Sequence, residues 1–163
     1  QDICLPANKP PPEAPTGAER VREAVMDDVA AMVDLEEEIS GIRRSKDYEY
    51  FIRNEQKVWR VFVIEDTGGG IDGFLCSIDH SGSNMLGPGV MRSDADALAL
   101  IQVQLAAMPN RQPVFLVPAR AESLVASLYQ WGARNCEMHV AQVRGEARDF
   151  RGVTMPTFMP ETG

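Results

Sequence analysis

Two stretches of this 163-residue chain carry residue types that could do chemistry. The first, residues 85–101, reads "MLGPGVMRSDADALALI": Gly-Pro-Gly runs into Arg92 and Ser93, and Asp94 opens an apolar helical pattern. This is the outline of a turn that could cradle a phosphate, because a helix N-terminus presents unpaired N–H groups and about +0.5 charge. Arg92 strengthens that reading, since a guanidinium can grip an anion with two parallel bonds. Ser93 and Asp96 oppose it. They stand at capping-box spacing, and Asp94 adds a carboxylate in the same turn, each worth roughly 0.3–1 kcal/mol to the helix itself. An anion of the chain's own therefore competes for the dipole. The second stretch, "LVASLYQWGAR", places Tyr129 on an amphipathic helix, where a tyrosine by default packs its ring and turns its hydroxyl toward the surface.

Other reactive residue types lack a pattern. His80 and His139 have no partner spacing for a metal or a triad, and both read as structural. No serine sits in a G-x-S-x-G turn. Cys136 has only Arg134 as a basic neighbour and reads as an inert thiol. Glu65, Asp79 and Glu137 lie at or in strands as candidate bases, and each reads better as a solvated carboxylate. The run Glu36–Glu37–Glu38 could favour a cationic amine, but a charge run on a helix is usually a solvated face.

Composition narrows the partners. Against 24 acidic residues stand 16 basic ones, net charge −8, with no Lys/Arg cluster to track a phosphate backbone, so nucleic acid is not expected. Three widely spaced cysteines, Cys4, Cys76 and Cys136, form neither a disulfide set nor a metal motif. They read as reduced thiols of a cytoplasmic protein. No apolar run approaches the ~20 residues needed to cross a bilayer, so no membrane partner is expected. The first 18 residues, with Pro6, Pro10, Pro11, Pro12 and Pro15, read as a proline-rich linker or leader, and residues 19–163 as one domain.

The elements that must position these residues follow from periodicity. A short strand over residues 20–24 precedes a helix capped by Asp27 or Asp28, with Val29, Met32, Val33, Leu35 and Ile39 near helical spacing and Gly41 as its stop. A second helix starts at Ser45 and places Tyr48, Phe51 and Ile52 on one face. "VWRVFVIED" reads as a central strand covered on both faces, and "TGGG" turns it into an antiparallel partner, "IDGFLCSID". The opening stretch supplies a strand and then a helix over residues 94–108 that buries Leu98, Ile101, Leu105 and Met108. "PVFLVP" is a strand, "AESLVASLYQWG" a helix, and "CEMHVAQVRG" alternates like a half-solvated strand. The tail adds one last edge strand, broken by Pro156 and Pro160. The order indicates a mixed α+β or α/β domain on a central sheet.

That order, with "VREAVMDDVAAM" near the start and "LVASLYQWGAR" near the end, resembles the GNAT acyltransferase superfamily over about residues 20–163. "EISGIRRSKDY" and the proline-rich ending are similar to the C-terminal halves of tandem GNAT proteins. The resemblance implies a mostly antiparallel sheet of six to seven strands flanked by about four helices. It implies transfer of an acetyl group from acetyl-CoA to a primary amine, small-molecule or peptide, by direct attack in a ternary complex. It further implies an acyl-CoA site where the fourth and fifth strands splay apart, at Leu86, Val90, Met91, Arg92 and Ser93, with oxyanion donors near residues 84–86. Tyr129 matches the family's proton donor, with two residues rather than the usual three before Gly132, and Glu122 stands where an Asn often contacts the cofactor. The first two helices and the last strands would bind acceptor, chiefly through Arg43 and Tyr48, with Arg44, Tyr50 and Trp131 nearby. The glycines that usually wrap the pyrophosphate are missing from "VMRSDADA". A catalytically degenerate domain, serving as a structural, ligand-sensing or dimerisation module, is the alternative; the expected protein partner is a second copy or an upstream GNAT domain. The ending "MPETG" is similar to a sortase signal but has no apolar tail after it.

Overall fold

The structure is a computed structural model and describes residues 2–4, 15–80, 82–147 and 149–157. Its elements, in order, are β1 (Asp2–Cys4), β2 (Val21–Glu23), α1 (Val29–Ser40), α2 (Ser45–Arg53), β3 (Trp59–Glu65), β4 (Ile71–His80), β5 (Ser83–Met91), α3 (Asp94–Ala106), β6 (Val114–Leu116), α4 (Glu122–Gln130), β7 (Arg134–Glu137) and β8 (Val153–Met155). The sheet is mixed and mostly antiparallel, in the order β2-β3-β4-β5-β6-β1-β7, with β8 added against β5. The expected fold class holds, and eight strands are present among the described residues. Residues 2–4, read in sequence as leader, form β1 between β6 and β7; residues 5–14 and the "MPETG" ending lie outside the described residues.

Local chemistry sets the boundaries. Residues 66–70 close the β3–β4 hairpin because the Asp66 carboxylate accepts bonds from the N–H groups of Gly68 and Gly70, which depress its pKa. Those bonds tie down a turn that would otherwise be flexible. Helix α1 ends at Gly41, in the left-handed region at φ 78°, where a Cβ would be unfavourable. Asp28 stands before that helix without capping it. Its carboxylate takes the Val25 N–H and is gripped by Arg22 at 2.7 and 2.8 Å, and the Arg22 guanidinium holds its pKa below the ordinary value.

Two cores lie on opposite faces of the sheet. One joins α1 and α2 to Val61, Val63, Phe74, Cys76 and Val90; the other joins α3, α4 and β8 to Ile64, Leu75, Leu86 and Phe115. Fully burying one such side chain contributes about 1.5–3 kcal/mol. As expected, β3 packs on both faces, Val61 and Val63 toward one core and Ile64 toward the other; it lies one strand from the sheet edge and exposes Arg60, and β4 and β5 are more fully buried. The α3 stripe shifts from the expected one. Ala97, Leu100, Ile101, Gln104 and Met108 are buried, and Leu98 and Leu105 only partly. Gln104 takes a core position because it satisfies Ser77 Oγ and the Leu75 carbonyl at 2.8 and 2.7 Å, so its burial does not leave a polar group unpaired.

Candidate functional site

The expected site lies where β5 runs into α3. Strand β5 pairs with β4 along its length. On its other edge it pairs in parallel with β6 only at Met85 and Leu86, after which the two strands part. The backbone near residues 84–86, expected to supply oxyanion donors, is therefore part of the sheet, and an open edge could begin only beyond it. Leu86, Val90 and Met91 are fully or nearly buried, so a ligand on this edge would meet main chain and not their side chains.

That edge is occupied by the chain itself. β8 runs antiparallel along it, with Met155 opposite Gly89, Thr154 opposite Val90 and Val153 opposite Met91. The tail strand pairs with β5 alone, as the edge-strand expectation has it, yet its Val153 and Met155 are buried in the α3–α4 core. Gly152, at φ +156°, lets the strap approach; a Cβ there would stand 2.4 Å from the Met91 carbonyl oxygen. Arg120, in the loop before α4, donates to the carbonyls of Phe150 and Gly152 at 3.3 and 3.1 Å and lies over the Phe150 ring. The Arg151 N–H reaches the carbonyl of Ile39 at the end of α1.

The start of α3 is equally furnished from within. Ser93 Oγ accepts the Asp96 N–H and donates to the Asp96 carboxylate, confirming the cap read in the sequence. Arg20 bridges Asp96 and Asp72 at 2.8 and 3.0 Å. Asp94 accepts the Leu124 N–H, joining the starts of α3 and α4. Arg92 makes a bidentate pair with Glu38 at 2.6 and 2.9 Å, which depresses the Glu38 pKa, and lies 3.6 Å from Asp72. Two cations thus pair with three carboxylates, and Asp94 adds a fourth, where a diphosphate would have to sit. With the edge paired and the helix start surrounded by carboxylates, the residues as placed here do not fit acyl-CoA.

The remaining expected residues scatter. Tyr48 lies in the core, its hydroxyl donating to Glu36 Oε2 at 2.5 Å and its ring edge-on to Phe74. Burial, with the Glu36 carboxylate beside it, pushes its phenol far above the ordinary range, so Tyr48 is a packed neutral donor and its position offers nothing to an acceptor substrate. Arg44 closes this cluster by binding the same carboxylate. Arg43 is exposed and pairs with Glu37 and Asp34. Tyr129 is 43% exposed on α4, while Leu124 and Leu128 of the same helix are buried. Of the candidate bases, Glu65 pairs with Arg22 and Asp79 with Arg111, and Glu137 is exposed. Burial pushes the Cys76 thiol up, which makes it unreactive. The alternating stretch after Glu137 forms no strand, and Met138, Val140 and Val143 are exposed. Sequence reasoning missed β8 as an occupant of the β5 edge; "GVTM" beside prolines carries too short a β signal to show which edge it joins.

A twisted mixed sheet with helices on both faces and two strands parting just before a helix start is the architecture of an acyltransferase-like α/β domain. A family described as an acetyltransferase (GNAT) domain matches residues 32–151, and the chain belongs to that family. Its strap, β8, begins directly after the matched residues. No curated protein matches the chain. Among the described residues no group of three or more His, Cys, Asp or Glu is placed to hold a metal, and no helix is long and apolar enough to cross a membrane.

Proposed function

We propose that this domain serves acetyl transfer from acetyl-CoA to a primary amine, on a small molecule or a peptide, in the cytoplasm. The acyl-CoA site of this reading is the wedge between β5 and β6. The observation that supports it is the parting of those two strands after Leu86, immediately before α3, in a chain of the GNAT family. Tyr129, exposed on α4, is the proton donor of this reading. β8 pairs the β5 edge at Gly89–Met91, and this reading requires that pairing to give way to the cofactor.

A second reading, a GNAT-fold module that no longer catalyses and supports an upstream domain or a second copy, is favoured by the four carboxylates at the α3 start. Calorimetric titration with acetyl-CoA separates the two. Saturable binding that is lost in Arg92→Glu, together with a Tyr129→Phe variant that turns over more slowly at unchanged affinity, supports acetyl transfer. A folded protein that gives no heat with millimolar acetyl-CoA supports the module.

A further inference from the structure

The end of β5 away from α3 carries a recess of its own. The β4–β5 hairpin end and the loop between α3 and β6 enclose a cleft of about 310 Å³, lined chiefly by His80, Ser83, Asn84, Asn110, Arg111 and Gln112. Strand β5 runs nine residues from here to Met91, roughly 25–30 Å at a strand's rise, so the cleft stands apart from the wedge of the acetyl-transfer reading. Its volume is at the small end for ligand sites and suits a small metabolite, not a nucleotide or a protein segment.

In a chain of net charge −8, no acidic side chain lines this cleft. Arg111 joins its two sides: Nη2 lies 2.5 Å from Asp79 Oδ1 and donates to the His80 carbonyl at 3.3 Å, while the Arg111 N–H bonds to the Met108 carbonyl. Both side-chain contacts fall on Nη2, which leaves Nη1 to an incoming anion. His80 Nδ1 accepts the Gly82 N–H at 3.1 Å, so the neutral ring carries its proton on Nε2, a second donor. Asn84 pairs with Asp79 across β4 and β5, and directly opposed residues share one face with their Cβ atoms about 5 Å apart. Among the described residues, Asn84 Oδ1 is the buried side-chain polar atom without a hydrogen-bond partner. Buried polar atoms are nearly always satisfied, so this orphan points to a donor that the chain itself does not supply. Asn84 is half-buried as a residue, and a turn of its carboxamide brings that oxygen to the cleft.

We propose that this cleft binds a free α-amino acid, whose ammonium donates to Asn84 Oδ1 beside Asp79 and whose carboxylate takes Arg111 Nη1. A cation alone would face Arg111, and an anion alone would face Asp79. A zwitterion answers both. The carboxamides of Asn110 and Gln112 offer donors and acceptors to a polar side chain. Because the ligand bridges the hairpin end and the α3–β6 loop of the folded chain, it raises the melting temperature as occupancy rises.

Amide NMR of the protein titrated with glycine, L-glutamine, sodium acetate and methylammonium chloride tests this. The expected result is saturable shifts at residues 82–84 and 110–112 with both amino acids, and binding at least about tenfold weaker for either half-ligand. Asn84→Leu and Arg111→Gln, each shown by thermal melting to be folded, should lower L-glutamine affinity at least about tenfold. Asn84→Leu removes an unpaired buried oxygen and so keeps the fold. Acetate that binds as tightly as L-glutamine, and equally well in Asn84→Leu, overturns the proposal in favour of a simple anion site. Unchanged L-glutamine affinity in both variants also overturns it, as does the absence of saturable shifts at these residues in wild type with millimolar glycine and L-glutamine.

Discussion

Glu36 and Glu38 stand two residues apart on α1 and live in different physical worlds. Glu36 is 1% exposed, and its carboxylate is shared by Arg44 and the Tyr48 hydroxyl inside the α1–α2 core. Glu38 is on the rim, and its carboxylate meets Arg92 from beyond the sheet, 54 residues later in the chain. Glu37, between them, pairs with exposed Arg43. A run of three identical charges is thus divided by the 100° step of the helix into a structural anchor, a surface pair and a pair at the candidate site. The anchor cannot be exchanged without removing the carboxylate that neutralises Arg44 in the core, whereas the rim pair sits in solvent and can be traded for another anion at small cost.

The comparison breaks most visibly at Glu36. Glu36→Ala removes the buried carboxylate that Arg44 and the Tyr48 hydroxyl share, a loss of about 3–5 kcal/mol. For a domain of this size that corresponds to a fall in melting temperature on the order of 10 °C. Glu37→Ala is the exposed control and leaves the melting curve in place. Similar curves for the two variants would show that the buried cluster is not the anchor its geometry describes.

Asp28 lies between these extremes: its carboxylate is nearly buried, while its partner Arg22 is 40% exposed. Its pKa is depressed in the folded chain, so its contribution is fully present above the unfolded value near pH 4 and is lost as pH falls through the folded value. Asp28→Asn is expected to cost about 1–2 kcal/mol at neutral pH and to flatten the acid limb of stability below about pH 4. Denaturant melts at pH 7 and pH 3 check this. A variant that loses as much stability relative to wild type at pH 3 as at pH 7 would mean that the charge is not what Asp28 contributes.

How much of this could be read from residue order depends on how local each signal is. The β3–β4 hairpin was legible in "TGGG" because Asp66 and its glycines close the turn within five residues. The α3 start was legible because Ser93 and Asp96 bond at fixed spacing. The helical face holding Tyr48 and Phe51 was visible too, but not that Tyr48 is sealed, since its acceptor comes from the preceding helix. The stretch "CEMHVAQVRG" alternates like a strand, yet only Arg134–Glu137 finds a partner strand; alternation says that a segment can pair, not that an edge is available. At the candidate site the readable part was position and the unreadable part was occupancy. Arg92 looked like a phosphate ligand because Glu38 is remote in sequence, and β5 looked open because three residues near the end of the chain carry no trace of their partner.

Glu38→Gln tests the rim half of the comparison. Removing this charge costs the fold only a few tenths of a kcal/mol, because the pair it breaks is solvated on both sides. Its consequence falls on Arg92, which loses the charge of its bidentate partner, keeps the looser 3.6 Å approach to Asp72 and becomes more available to an incoming anion. In the acetyl-transfer reading the variant binds acetyl-CoA several-fold tighter than wild type, an increase that shrinks with added salt because the contact is exposed. Coenzyme A without its acetyl group should show the same gain, since Arg92 would meet the diphosphate and not the thioester. If Glu38→Gln leaves both affinities unchanged while melting like wild type, the Arg92–Glu38 pair is a solvated surface pair like Arg43 with Glu37 and takes no part in binding an anion.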